Sequence, residues 1–131
     1  MKQYLVDTDV IIDVGRNIPD AIKSFELMMG NGKVYISQMS QMELLIGCRN
    51  KSEQKKLNIF LNEFEIIPID NIISNNATDL LISYRLSHNL LIGDSIIAAT
   101  SISRNLLLLS KNQKDYKFIN NINLLKYPLN K

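Results

Sequence analysis

Four short apolar runs alternate with longer segments of helical periodicity along the chain. Strands that alternate with helices indicate βαβ units and a parallel sheet. The run LLLL is apolar at every position, as expected of a strand that is covered on both faces. The sequence therefore predicts one α/β domain over residues 1–131, with a parallel central sheet of four to five strands flanked by helices. The predicted strands are QYLV (3–6), VYIS (34–37), EIIPI (65–69) and LLLLS (106–110), and the helical segments are 18–29, 38–49, 53–63, 71–87 and 94–104.

Composition narrows the possible chemistry. Hydrophobic residues make up 46% and charged residues 21% of the 131 residues, and the formal net charge is +2, which is compatible with a nucleic-acid partner. Cys48 is the only cysteine and His88 the only histidine, and His88 is expected at a helix end or in a loop. Zinc fingers, zincins and hydrolases with Cys–His or Ser–His–Asp sites need more of these residues. Any catalysis must therefore use carboxylates.

The chain is expected to be a cytoplasmic protein that is not inserted into a membrane. The N-terminal residues before Asp7 do not form a secretory signal, and no disulfide can form within the chain. Charged residues interrupt the Leu/Ile-rich region 80–109, so it lacks the ~20 apolar residues that a membrane span needs.

Acidic residues follow the predicted strands at one edge of the sheet. Asp7 comes directly after QYLV, Glu43 lies in the first turns of the helix after VYIS, and Asp94 opens the last helix. Asn112 and Asp115 follow LLLLS. Ligands of parallel sheets bind at the carboxyl ends of the strands, where helix N-termini keep carboxylates ionised and able to hold a hard cation. This arrangement predicts a metal site.

Each acid also has a purely structural interpretation. Asp7 and Asp94 could be N-caps, and Ser40 with Glu43 matches a capping box. Asp115 could lie in a surface turn, Asp9 in a turn, and Asp13 on the solvated face of a helix. None of these interpretations predicts that several acids converge on one edge, and the convergence favours the metal site.

Three stretches resemble the PIN-domain ribonucleases, and among them the VapC-type toxins of toxin–antitoxin pairs. YLVDTDVIID resembles the first strand and acid of that family, and ISQMSQMELLIG resembles its Glu-Leu helix. IGDSIIAATSISRNLLLLSKNQKDYKFI resembles its third and fourth motifs. The resemblance covers nearly the whole chain and implies a PIN-like fold.

The resemblance also implies the residues of the site. The catalytic and metal-binding acids would be Asp7, Glu43, Asp94 and Asp115. Thr8, Asp9 and Asn112 would support the site, with Asp9 standing where the family usually has Asn. The fourth position could be filled by Asn112 or by Asp115, and we expect Asp115. RNA phosphates would be contacted by Arg16, Lys111, Lys114 and Lys117. The implied activity is hydrolysis of RNA phosphodiesters by a water that is activated by Mg²⁺, for which Mn²⁺ would substitute.

The implied partners are an RNA substrate and a small antitoxin protein, with a homodimer or a complex with the antitoxin as the expected assembly. Candidate contact surfaces are the apolar helical faces around Phe25, Met28 and Met29, and around Leu81 and Tyr84. Two alternatives stay open: a haloacid-dehalogenase-like phosphatase, because DTDVII contains an Asp-x-Asp opening, and a non-catalytic α/β interaction module.

Overall fold

A computed structural model describes residues 1–130, and Lys131 lies outside the described residues. Within residues 1–130 the structure has five strands, six α-helices and one short 3₁₀ helix. In order, they are β1 (Lys2–Val6), α1 (Thr8–Gly15), α2 (Pro19–Asn31), β2 (Gly32–Ser37), α3 (Gln38–Ile46), α4 (Lys51–Leu61), β3 (Glu65–Ile67), α5 (Asn71–His88), α6 (Ile92–Ser103), β4 (Leu107–Leu109), a 3₁₀ turn (Gln113–Asp115) and β5 (Leu124–Leu125).

The strands form one parallel sheet in the order β3-β2-β1-β4-β5, which confirms the predicted fold class. The chain runs from β1 outward through β2 to β3, and then returns to place β4 on the other side of β1. This reversal makes the gap between the carboxyl ends of β1 and β4 the switch point of the sheet, where ligands of open α/β sheets bind.

Both faces of the sheet are covered, as the apolar strands predict. Tyr4 and Val6 of β1 point into one core together with residues of α1, α2 and α4, whereas Leu5 points into a second core with residues of α5 and α6. All three side chains are almost completely buried. Because successive side chains of β1 are buried on opposite faces of the sheet, the strand is fixed in position. Asp7, the next residue, is therefore held at the end of the central strand.

The predicted helices and strands all form, but several ends differ from the prediction. β3 ends at Ile67 because Pro68 has no N–H group for the ladder. The helix predicted over 38–49 ends at Ile46, before Gly47. The last helix begins at Ile92 rather than at Asp94, so that Asp94 lies inside its first turn.

Two capping interpretations are wrong. Helix α3 begins after Ser37, whose hydroxyl accepts a hydrogen bond from the Met39 N–H, so Ser40 and Glu43 do not form a capping box. Helix α6 has Leu91 at its N-cap position, so Asp94 is not the N-cap. Asp7 is the N-cap of α1 and accepts a hydrogen bond from the Thr8 N–H at 2.8 Å. The structure thus leaves Glu43 and Asp94 without the roles that would have explained them as helix caps.

No helix within residues 1–130 is both long enough and apolar enough to cross a membrane.

Candidate active site

A cleft of about 210 Å³ opens at the switch point of the sheet, and most of the predicted site residues line it. Its walls come from the end of β1, the start of α1, and helices α3 and α6. Asn112, from the loop after β4, closes it. The lining residues are Asp7, Thr8, Asp9, Ile12, Glu43, Asp94 and Asn112.

Asp7 lies at the bottom of this cleft and is held from two sides. Its side chain is bonded at Oδ1 by the Thr8 N–H at 2.8 Å and at Oδ2 by the Ser110 hydroxyl at 2.7 Å. Only 5% of the residue is exposed. Burial, and then the nearby Asp9 carboxylate, raise the pKa of Asp7 to about 7, even though these hydrogen bonds oppose the shift.

Glu43 is oriented by a short chain of hydroxyl groups. The Thr8 hydroxyl lies 2.7 Å from Glu43 Oε1 and 2.8 Å from Ser40 Oγ. Because a carboxylate can only accept, Thr8 donates to Glu43 and its oxygen accepts from Ser40. The backbone of Gly93 passes close to Glu43, so that a Cβ atom there would lie 3.4 Å from Oε2. That distance is an ordinary van der Waals contact, so the first turn of α6 packs against α3 at this point.

Asp94 faces the cleft from the first turn of α6. The hydroxyl of Tyr116, which is completely buried, donates to Asp94 Oδ1 at 3.2 Å. Burial, and then the charges of Asp115 and Glu43, raise the pKa of Asp94 to about 6. Burial and the two carboxylates Asp7 and Asp94 also raise the pKa of Tyr116, so this phenol keeps its proton and donates it.

Asp9 is the most unusual member of the cleft. Both of its carboxylate oxygens are buried and have no hydrogen-bond partner among the described residues. Burial raises the pKa of Asp9, and the nearby backbone amides of Lys111 and Val10 oppose only part of that shift. The nearest lysine, Lys111, directs its ammonium group to Asp13 Oδ2 at 2.7 Å. Two buried oxygens without a partner require a cation, a proton or water.

The two candidates for the fourth metal-binding residue lie in different places. Asn112 lines the cleft with Asp7, Glu43 and Asp94, whereas Asp115 lies in the exposed 3₁₀ turn on the other side of Asp94. Asp115 is still close enough for its charge to raise the pKa of Asp94.

The donor set fits a hard divalent cation. It consists of carboxylate, amide and hydroxyl oxygens, and it includes the unpartnered oxygens of Asp9. Within residues 1–130, no three Asp, Glu, His or Cys side chains stand close enough together to hold an ion as they are placed. Carboxylates repel one another without a cation between them, so closer approach requires added positive charge.

The basic residues predicted to contact RNA differ in their surroundings. Arg16, Lys114 and Lys117 are exposed. Lys111 instead forms the ion pair with Asp13, which is 13% exposed at its side chain. The interpretation of Asp13 as a solvated helix residue is therefore wrong, because Asp13 is buried against the loop that follows β4.

Sequence reasoning missed three side chains that hold the acids: Ser40, Ser110 and Tyr116. Ser110 directly follows β4, at the same sheet edge as Asp7, and this position was the available signal. Ser40 matches the sequence pattern of a helix cap, which hides its contact with Thr8. Nothing in the pattern KNQKDY indicated that the tyrosine turns inward while the acid beside it stays exposed.

Only some of the residues predicted to contact a partner protein are exposed to solvent. Met28 is completely buried, so its placement on a contact surface was wrong, while Met29 is 50% exposed. Phe25 packs on Phe64 with ring centroids 5.4 Å apart. Leu81, which is partly buried, lies on the wall of an apolar groove of about 730 Å³ between α5 and the start of α6. Tyr84 is also partly buried and packs on Phe118.

Fold and site together define a class: a small parallel α/β protein with a cluster of acids at its switch point. The sequence profile of the PIN domain matches residues 4–120, and the chain belongs to the PIN-domain family. Among its relatives are the ribonuclease VapC10 of Mycobacterium tuberculosis, 34% identical over 109 residues (82% of this chain and 81% of the relative), and the ribonuclease VapC2 of Rickettsia felis, 30% identical over 126 residues (91% and 93%). These matches confirm the resemblance found in the sequence.

Solved structures agree with the fold. The VapBC2 complex of Rickettsia felis, bound to a DNA fragment from its promoter, contains a chain that superposes with a TM-score of 0.79 at 27% identity and covers 94% of this chain and 97% of that one. A toxin–antitoxin complex from Klebsiella pneumoniae gives a TM-score of 0.78 at 26% identity and covers 96% of this chain and 98% of that one.

Proposed function

We propose that this protein is the endoribonuclease toxin of a VapBC-type pair and hydrolyses RNA phosphodiester bonds with Mg²⁺. The observation that carries the proposal is the cleft at the switch point, which Asp7, Glu43 and Asp94 line together with Asp9, whose buried oxygens have no hydrogen-bond partner among the described residues. The family match and the two ribonuclease relatives support the reaction class.

The ion would be held by Asp7, Glu43 and Asp94, with Asp115 as the fourth acid and Asn112 as a neutral contributor. A divalent ion held there would supply Lewis acidity, which would make a water molecule a better nucleophile toward the phosphorus and would offset the negative charge that develops there. Mn²⁺ prefers the same oxygen donors and would substitute. No histidine base is needed, in keeping with a cleft that contains none.

The other residues of the cleft keep these acids in place. Ser110 and the Thr8 N–H hold Asp7, the Thr8 hydroxyl holds Glu43, and Tyr116 holds Asp94. Each donor satisfies one lone pair of its carboxylate and leaves others for an ion. The exposed residues Arg16, Lys114 and Lys117 would contact RNA phosphates, and Lys111 would serve mainly to neutralise Asp13.

A small antitoxin protein is the proposed partner, because this chain is similar in structure to chains of toxin–antitoxin complexes. We assign homodimer formation to the exposed apolar residues Ile82 and Leu86 beside the groove of α5. The proposal also includes a cytoplasmic location, where an RNA substrate would be available.

The test is cleavage of single-stranded RNA by the purified protein. We expect cleavage with Mg²⁺ or Mn²⁺, none with EDTA, and at least a 100-fold lower kcat in Asp94→Asn, which should remain folded. Asp79→Asn, an exposed acid on α5, is the matched control and should cleave like the parent. Equal activity of Asp94→Asn and the parent would contradict the proposal. Release of phosphate from a small monoester in place of RNA cleavage would favour the phosphatase alternative.

A further inference from the structure

A pair of stacked aromatic rings lies beside the acid cleft and has no part in the function proposed so far. The imidazole ring of His88, at the end of α5, stacks on the ring of Phe118 with centroids 4.2 Å apart and planes 9° apart. Tyr84 contacts both rings edge-on, at 5.9 Å and 5.3 Å. We call this pair the His88–Phe118 stack.

Hydrogen bonds around the end of α5 fix the orientation of the stack, and His88 remains exposed to solvent. Ser87 Oγ lies 2.7 Å from His88 Nδ1 and shares a hydrogen bond with it. The next residue, Asn89, ends α5 in the left-handed conformation at φ 58°, and the Arg85 guanidinium donates to the carbonyl groups of Asn89 and Leu90. His88 is exposed and Phe118 is half-buried. The imidazole is therefore an oriented flat surface, and binding to it would cost little side-chain entropy.

The stack is continuous with the acid cleft. His88 and Phe118 line a second cleft, of about 160 Å³, whose wall includes Asp94 and Asp115. Asp94 lines both clefts. A chain bound with a phosphodiester at the first cleft would therefore bring a neighbouring nucleotide to the second.

The chemistry of the second cleft selects among the parts of a nucleotide. Its lining contains two carboxylates and no Lys or Arg among the described residues, so a phosphate would be repelled there. A nucleobase is flat and uncharged, and unpaired bases stack on aromatic side chains, including His.

We propose that the His88–Phe118 stack is a platform for one unpaired nucleobase of the RNA, next to the phosphodiester that is cleaved. This inference rests on the proposed ribonuclease function. It makes His88 a residue that determines substrate recognition and not a catalytic residue. It also makes the chain selective for single-stranded RNA, because a paired base is not free to stack on the ring.

The experiment combines changes in the protein with changes in the RNA substrate and compares their effects. A short single-stranded RNA that the parent cleaves is prepared with an abasic nucleotide at each position flanking the cut in turn. KM and kcat are then measured for the parent, His88→Leu and His88→Phe. Leucine still covers Phe118 but offers no flat ring, whereas phenylalanine restores the ring. Asn75→Ala, an exposed neutral change on the same helix, is the control, and thermal melting verifies folding of every variant.

For the parent, we expect one abasic position to raise KM by about 5- to 100-fold, the effect of losing one base–aromatic stack. His88→Leu should have a similarly raised KM for the intact RNA, no further loss with the abasic RNA, and a kcat within about threefold of the parent. His88→Phe and Asn75→Ala should behave like the parent. If His88→Leu retains the full abasic penalty, or no position shows a penalty while the parent cleaves RNA, the platform is wrong and the ribonuclease proposal still stands. If the parent cleaves no RNA, both are wrong.

Discussion

Among the residues of the cleft, Asp9 gives the strongest support to the proposed cation site. Asn is usual at this position in the family that the chain resembles, and an amide would be easier to bury. Here both carboxylate oxygens are buried without a partner, beside Asp7 and Asp94. Burying an unpartnered carboxylate costs free energy, and a cation bound beside Asp9 would offset that cost.

Asp9→Asn should therefore stabilise the metal-free protein. Replacing the buried charge by a neutral amide removes repulsion of Asp7 and the desolvation of a carboxylate, and we expect a gain of ~1 kcal/mol or more in the free energy of unfolding. Urea unfolding in EDTA measures the change. The control Asp79→Asn should differ from the parent by less than ~0.5 kcal/mol. A loss of stability in Asp9→Asn would contradict the proposed repulsion.

The raised pKa values of Asp7 and Asp94 predict a specific pH dependence. Both groups hold protons more tightly in the folded than in the unfolded chain, so the folded state binds more protons between pH 3.8 and about 7. Stability of the metal-free protein must fall as pH rises through that window. We expect a loss on the order of 2 kcal/mol between pH 5 and pH 7 from Asp7 alone.

Urea unfolding in EDTA across this pH range checks that dependence. Asp7→Asn should have a visibly flatter profile than the parent, while Asp79→Asn should follow the parent. A profile that rises from pH 5 to pH 7 by the same amount in parent and Asp7→Asn would show that Asp7 is not the buried acid described here.

At the level of elements, the loop after β4 completes the site by its attachment to β1 and α1. The Asp7 N–H donates to the Leu109 carbonyl at 2.9 Å, and Ser110 donates to Asp7. Lys111 pairs with Asp13 of α1. These contacts hold Asn112 at the mouth of the cleft.

Lys111→Met should destabilise the protein because it leaves Asp13 buried without its partner. We expect a lower free energy of unfolding, with a smaller loss than for a fully buried pair because the Lys111 side chain is 43% exposed. Adding Asp13→Asn to Lys111→Met should recover part of the loss. Lys114→Met, an exposed neighbour, is the control and should leave stability nearly unchanged. Equal stability of Lys111→Met and Lys114→Met would show that Lys111 contributes no more to stability than an exposed lysine.

Most elements were readable in the sequence, because four strands were short apolar runs and five helices had their own periodicity, but the short helix α1 (Thr8–Gly15) was not among the predicted segments. The ends were less readable, since Leu91 rather than Asp94 is the N-cap of α6 and Ser37 rather than Ser40 that of α3. Capping depends on the backbone path at the helix entrance, and several Ser and Asp residues in a row satisfy the sequence rule equally well. β5, with two residues, has too little sequence to carry a pattern.

For the whole molecule, the sheet order explains why distant residues form one site. β1 lies between β2 and β4, so the residues after β1 and β4 are brought together although 103 positions separate Asp7 from Ser110. Sequence reasoning placed Asp7, Glu43 and Asp94 at this edge from the general rule for parallel sheets, and the structure brings them to one cleft. It could not place Tyr116 or pair Lys111 with Asp13, because those contacts depend on how the segment after β4 packs against α6 and α1.

Calorimetric titration of the purified protein with Mn²⁺ tests most directly whether the converging acids form a metal site. The parent, Glu43→Gln, Asp94→Asn and the control Asp79→Asn would be compared at pH 7.5. We expect the parent and Asp79→Asn to bind Mn²⁺ with the same affinity, and Glu43→Gln and Asp94→Asn to bind at least 10-fold more weakly, since each loses an anionic ligand. The same Mn²⁺ affinity in all four proteins, or no binding to the parent, would show that these acids do not form a metal site.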